Sequence, residues 1–305
     1  MISFRYHLVS IVAIFLALAL GIVVGTTALS GPITKDLRNQ LDDAKNQRDA
    51  LAGQVKTLQG QLDDAGEFAS TYGSQLVAGS LTKQPVLVIA LPGVTSGMQS
   101  GIIREVSAAG GKVGGVVTVT RNYFDPRLGS GIASLATGGA RPIDWTAPET
   151  SDPGQLGGSL LAWVLSGKGQ ATDITQVLGA FAALHMVTTD GTTITPAADV
   201  LVLSHGAKPA GAQGTVNSVA LISALARDGA HVVVAGNAAA AGRGGLVAAV
   251  RTEVATRSAV SSVDNADNAL GQVSAVLALS AAAKGDFGHY GTQNGADALF
   301  PTPSR

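Results

Sequence analysis

Cysteine is absent from this chain of 305 residues, which excludes disulfide bridges, thiolate metal sites and cysteine nucleophiles together. The absence leaves the compartment open, since an exported protein also folds without disulfides. Glutamate is almost missing: Glu67, Glu105, Glu149 and Glu253 are the full set, so a paired-carboxylate site would have to use aspartates. Asp264 and Asp267 are the close pair near a strand end, and their placement suits turn bonding and helix capping. The five histidines, His7, His185, His205, His231 and His289, stand far apart with no i, i+4 pair among them. Met98 and Met186 are the only internal thioethers, too few for a soft-metal track. A net charge of −1 gives no electrostatic reason to bind nucleic acid or acidic lipid. No G-x-x-x-x-G-K-[ST] occurs, and the glycines from Gly236 to Gly245 lack the G-x-G-x-x-G spacing.

Long apolar runs, by contrast, are concentrated at one place. Residues 8–29 form an uncharged apolar stretch of 22 residues, roughly 33 Å long as a helix and enough to cross a ~30 Å hydrocarbon core. Its polar members, Ser10, Thr26 and Thr27, carry no charge. The rival reading is a cleaved signal peptide ending at Thr26-Thr27-Ala28. The run exceeds the usual apolar region of such peptides, and its basic leader is only Arg5. Arg5 on one side balances Lys35 and Arg38 on the other, so charge leaves the orientation open.

From residue 37 the apolar positions step by four and three. Placing Leu41, Arg48, Val55 and Leu62 at heptad position a puts Leu37, Ala44, Leu51, Leu58 and Ala65 at d, a pattern that leans toward two strands. Gly53 and Gly60 fall at f, outside the seam. Glutamine fills most e and g sites, which leaves partner choice weakly specified by charge. The segment reads either as a solvated spacer or as a seam (Leu37, Leu41, Leu51, Val55, Leu58, Leu62) for a second copy or a partner helix.

Beyond residue 84, short continuous apolar runs alternate with helical patterns. Strands are expected at 85–91, 112–118, 185–189, 199–204, 231–235 and 258–263. Helices are expected at 98–109, 152–166, 173–184, 215–228, 244–250 and 270–283, the second starting on the cap pair Asp152-Pro153. Residues 121–150 read as an irregular excursion with little helix, and Asp190-Gly191 as a small hairpin turn. Apolar strands alternating with helices predict a mostly parallel, three-layer α/β domain. The organisation is thus a transmembrane anchor (1–30), coiled coil (31–70), linker (71–84), α/β domain (85–285) and C-terminal tail (286–305).

In such sheets ligands sit beyond the carboxyl ends of strands, where this sequence places Ser204, His205, Gly236, Asn237 and Asp264 as a candidate cleft. None makes a chemical motif, since Ser204-His205 lacks the glycine spacing of a nucleophile elbow, and the domain reads as non-catalytic. His289, in Gly288-His289-Tyr290-Gly291, is the best single metal-ligand candidate: glycine on both sides of an exposed His-Tyr pair lets a ligand or partner approach the backbone. A structural turn is the alternative.

The whole chain resembles the mycobacterial copper transporter B (MctB) family of actinobacterial envelope proteins. The likeness is carried by Met1-Ile2-Ser3 with Arg5 and His7, and by Phe15-Leu16-Ala17-Leu18-Ala19 leading to Gly21 and Gly25. It continues through Gln47-Arg48-Asp49-Ala50-Leu51, Gly73-Ser74, Ala108-Ala109-Gly110-Gly111 and Ser262-Val263-Asp264. Val276-Leu277-Ala278-Leu279 and Gly288-His289-Tyr290-Gly291-Thr292 complete it. The resemblance implies copper handling at the cell envelope, with copper as a possible ligand and the C-terminal domain outside the cytoplasmic membrane. It also implies, from corynebacterial relatives, a link to cell separation through a membrane partner and control of septal peptidoglycan hydrolases. Some relatives carry more histidine around the Gly-His-Tyr-Gly tail, where this chain has Gln293 and Asn294. A single anchor helix whose polar groups are Ser and Thr cannot form a soft-ligand relay alone. Copper homeostasis is therefore the implied role, and an anchored coiled-coil scaffold the expected mechanism.

Overall fold

A computed structural model describes residues 4–139, 141–190, 193–206 and 211–302, apart from the side chains of Arg5, residues 26–34 and Ala212. Two compact units divide between Asp64 and Ala65. The first consists of helix α1 (Phe4–Val77) up to that division. Its segment Tyr6–Gly25, of 20 residues and mean hydropathy 2.9, is long and apolar enough to cross a membrane. The candidate cleavage site Thr26-Thr27-Ala28 lies outside the described side chains. Farther along, the expected seam residues Leu37, Leu41, Leu51, Val55, Leu58 and Leu62 are all 52–65% exposed. Arg48, the polar a residue, pairs with its neighbour Asp49 at 2.7 Å.

Among the described residues, the second unit is built on seven strands: β1 (Pro85–Ala90), β2 (Lys112–Val119), β3 (Val187–Thr189), β4 (Asp199–Ser204), β5 (His231–Gly236), β6 (Val260–Val263) and β7 (His289–Tyr290). Their order is β3-β2-β1-β4-β5-β6-β7, parallel except for the antiparallel β2–β3 pair. Continuous apolar strands are what a sheet covered on both faces requires. Leu87, Ile89, Val200, Val202, Val232 and Val234 enter one core with helices α3 (Gly129–Thr137), α4 (Pro153–Leu165), α5 (Ala171–Ala183), α6 (Gly211–Arg227) and α7 (Leu246–Thr252). Val86, Val88, Leu201, Leu203, Val233 and Ala235 enter the other, with α2 (Ser96–Ala108) and α8 (Ala269–Ala282). The expected mostly parallel three-layer α/β architecture is the observed one.

Local chemistry sets the ends of several elements. Asp152 accepts from Gln155 N at 2.8 Å with Pro153 in the first turn of α4, as the sequence suggested. Three expectations are corrected. The excursion at 121–150 contains two 3₁₀ turns (Arg121–Phe124, Pro126–Leu128) and α3, whose Gly129, Ile132 and Ala136 bury one helical face that glycine had disguised. The supposed linker 71–84 begins as helix: Ala69, Gly73 and Val77 recur every fourth residue, Ala69 and Val77 are buried, and Leu81 is buried just beyond. A Cβ on Gly73 would lie 2.6 Å from Val273 Cγ2, so the glycine permits close approach to α8. Finally, β7 is a strand of two residues, too short for periodicity to reveal. Of the Asp190-Gly191 turn, Gly191 lies outside the described residues.

Candidate functional site

Strand order reverses between β1 and β4, with α2 leaving to one face and α6 to the other. In a doubly wound sheet this is where a crevice opens. Ser204 ends β4 there, pairs in register with Gly236 of β5, and is fully buried. Among the described residues its Oγ has no hydrogen-bond partner. His205, beside it, is half-buried. Asn237 Oδ1 accepts from Gly206 N at 3.0 Å and from Ala240 N at 3.1 Å, tying the β4 end to the 3₁₀ turn Ala238–Ala241. A Cβ on Gly236 would meet Val247 Cγ2 at 2.7 Å and Ala240 Cβ at 2.8 Å. Gly236 thus serves packing, and Asn237 serves the turn. The fold brings Ser204, Gly236 and Asn237 together as the sequence suggested, but their polar groups are buried or already bonded.

Asp264 is the correction to that cleft. Its carboxylate is engaged with Arg251 of α7, Oδ2 to Nη2 at 2.9 Å, with both side chains buried. It also accepts from Thr292 N at 2.9 Å and Gln293 N at 3.0 Å. The expected turn bonding and helix capping by Asp264 and Asp267 is not the geometry seen: Asp264 bonds the distant C-terminal segment, and Asn268 caps α8 by accepting from Gly271 N at 3.1 Å. Arg251 completes the cluster by donating to Ser262 Oγ, Tyr290 O and Asn294 O. Sequence reasoning missed Arg251 and Ser262. The one available signal was an arginine following the apolar run 246–250.

His289 is likewise corrected. It is 7% exposed, not open, and Tyr290 is buried with it. His289 Nδ1 lies 3.0 Å from Ser262 Oγ and Nε2 lies 3.0 Å from Arg257 O, so both ring nitrogens are already engaged. Burial, with the nearby Arg251, holds its affinity for a proton below the ordinary histidine value, against an opposing pull from Asp297. Burial also pushes the Tyr290 phenol up. His231, in turn, bonds Asp199 through Nδ1 at 2.8 Å. Among the described residues no three of His, Asp and Glu gather where a metal ion would be held.

Comparison with known proteins follows the chain from end to end. The family described as copper transport outer membrane protein, MctB, matches residues 1–301. Proteins named copper transporter MctB from Mycobacterium tuberculosis and Mycobacterium bovis are each 29% identical over 308 residues, covering 97% of this chain and 98% of theirs. The Mycobacterium leprae protein of that name is 29% identical over 315 residues, covering 98% and 99%. Spanning the apolar helix and the α/β unit alike, these matches show that the chain belongs to the MctB family of copper transport outer membrane proteins.

Proposed function

We propose that this chain serves copper homeostasis at the cell envelope as a membrane-anchored scaffold, without catalysis and without passing copper through its own residues. Segment Tyr6–Gly25 would anchor it in a single pass, with the residues that follow outside the cytoplasm. The carrying observation is the row of exposed apolar side chains from Leu37 to Leu62, kept in heptad register over four turns of the repeat. A second copy, anchored in the same membrane, presents the same seam in the same direction. Copper efflux then depends on what the assembled seam holds in place. Names given to the mycobacterial relatives support the copper role. The bonds at both ring nitrogens of His289 and the buried ion pair of Asp264 support placing copper chemistry elsewhere, because an imidazole with both nitrogens engaged is a poor ligand.

The same seam favours a second reading, a regulator of cell separation. A coiled-coil face with few charge pairs suits the helix of a membrane partner or of a septal peptidoglycan hydrolase. Site-specific photo-crosslinkers at Leu51 and Leu58 in intact cells separate the two. Crosslinks to a second copy or to copper-efflux components support the first reading, and crosslinks to a hydrolase support the second. No crosslink from either position would sink both.

A further inference from the structure

At the β6–β7 edge of the sheet, three hydrogen bonds run in one direction. Arg251 Nε donates to Ser262 Oγ at 3.0 Å. Ser262 Oγ lies 3.0 Å from His289 Nδ1. His289 Nε2 lies 3.0 Å from the carbonyl oxygen of Arg257. A carbonyl only accepts, so the ring proton belongs on Nε2 and Nδ1 presents a lone pair. The Ser262 hydroxyl hydrogen then points to Nδ1 while its oxygen receives Arg251. Neutral His289 in the Nε2–H form satisfies every group. A second proton on Nδ1 would leave the Ser262 hydrogen without an acceptor and set a second cation beside Arg251.

This relay sits under a strap. His289 N donates to Asp297 Oδ2 at 2.9 Å, and Asp297 N returns to His289 O at 2.7 Å. Gly291 N reaches Ala298 O at 3.0 Å, and Arg251 Nη1 holds Asn294 O. Residues 288–298 thereby fold back beside β6, bonded to it through Ser262 N–Gly288 O and Asp264 N–Tyr290 O. The charged groups around His289 come from every packed element. Arg251 of α7 opposes its protonation, Asp264 after β6 neutralises that arginine, and Asp297 in the strap favours protonation. Arg257 contributes its backbone oxygen, and Asp286 bears on Tyr290.

We propose that His289 is an acid-sensitive latch: neutral, it holds residues 286–302 over the β6 edge, and protonated, it releases them. Release would uncover a row of backbone N–H and C=O groups on β6, the kind of edge that accepts an added strand from another chain. This goes beyond the scaffold reading, which concerns the seam and not the sheet.

Hydrogen exchange on the full-length protein in detergent micelles, at pH 7.5 and pH 5 with rates corrected for intrinsic pH dependence, tests it. Peptides covering 286–302 and β6 should lose about tenfold or more of their protection at the lower pH, while β1, β4 and β5 keep theirs. His289→Gln retains an N–H for Arg257 O but cannot titrate, and its strap should be insensitive to pH. Ser262→Ala should already be less protected at pH 7.5. The wild-type comparison stands even if a variant fails to fold, and nitrogen NMR of the His289 ring should show the Nε2–H form at neutral pH. Unchanged wild-type protection, an Nδ1–H ring, or equal pH dependence in His289→Gln would overturn the latch. So would release by copper(II) ions at constant pH 7.5, which would make His289 a metal ligand instead.

Discussion

Arg251 and Asp264 form an ion pair at 2.9 Å with side chains only 3% and 0% exposed. The pair is also the knot that ties the C-terminal segment to the sheet, through Tyr290 O, Asn294 O, Thr292 N and Gln293 N. Burying two charges is costly, and what offsets the cost here is that both groups make several further bonds.

Breaking the knot from one side should therefore be severe. Arg251→Met leaves a buried carboxylate without its partner and should destabilise the α/β unit by about 3–5 kcal/mol. Adding Asp264→Asn to the same variant should recover part of the loss. Chemical denaturation of the two singles and the double closes the cycle, and strictly additive losses would show that the pair does not act as a unit.

Ser204 should behave in the opposite way. Its buried hydroxyl has no partner among the described residues, so Ser204→Ala removes an uncompensated polar group and should leave stability unchanged or raise it by up to about 1 kcal/mol. Copper tolerance of cells carrying the variant should also be unchanged. A folded Ser204→Ala protein that fails to protect cells would restore the crevice as a ligand site.

The pH dependence of stability follows from His289. Its proton affinity in the folded chain lies below the ordinary value of 6.5, so the unfolded chain takes the proton first. This contribution is fully present above about pH 6.5 and falls as the pH drops from there toward the folded value. Thermal unfolding across that range, compared with His289→Gln, should show a difference that grows on the acid side. A difference growing on the alkaline side would have the wrong sign.

On the helix, Leu51 and Leu58 are consecutive d positions in the middle of the proposed seam. Burying each against a partner should contribute about 1.5–3 kcal/mol, and replacing both with Asp would set like charges into an apolar interface. Association measured by crosslinking should be lost, while circular dichroism of the α/β unit stays as in the wild type. Retained association and function would remove the scaffold from consideration.

Gly101 offers a check on packing. A Cβ there would collide with Gln272 Oε1, so Gly101→Ala must push that amide off Arg104, which it accepts from at 3.3 Å. A loss of about 1–3 kcal/mol is expected. A neutral result would show that Gln272 moves freely.

Much of the architecture was legible in the residues because periodicity is a local property. Apolar strands such as 199–204, the heptad steps from Leu37 and the Asp152-Pro153 cap announce themselves within a few positions, and the order of family motifs placed the chain. What stayed hidden was short or distant. Helix α3 buries glycine and alanine, which look like loop residues, and β7 has only two residues to show a pattern.

By itself, then, the sequence determined the apolar helix, the heptad spacing after it, the alternation of strands and helices and the absence of thiolate chemistry, since each follows from composition or from neighbours along the chain. Only the tertiary structure decided what the polar residues do. His289 lies 27 residues from Ser262, and Asp264 lies 28 from Thr292. Those separations make the glycine-flanked histidine look exposed in the sequence. The parallel sheet closes them by laying β7 against β6, and burial then turns a candidate metal ligand into one member of a directed hydrogen-bond chain.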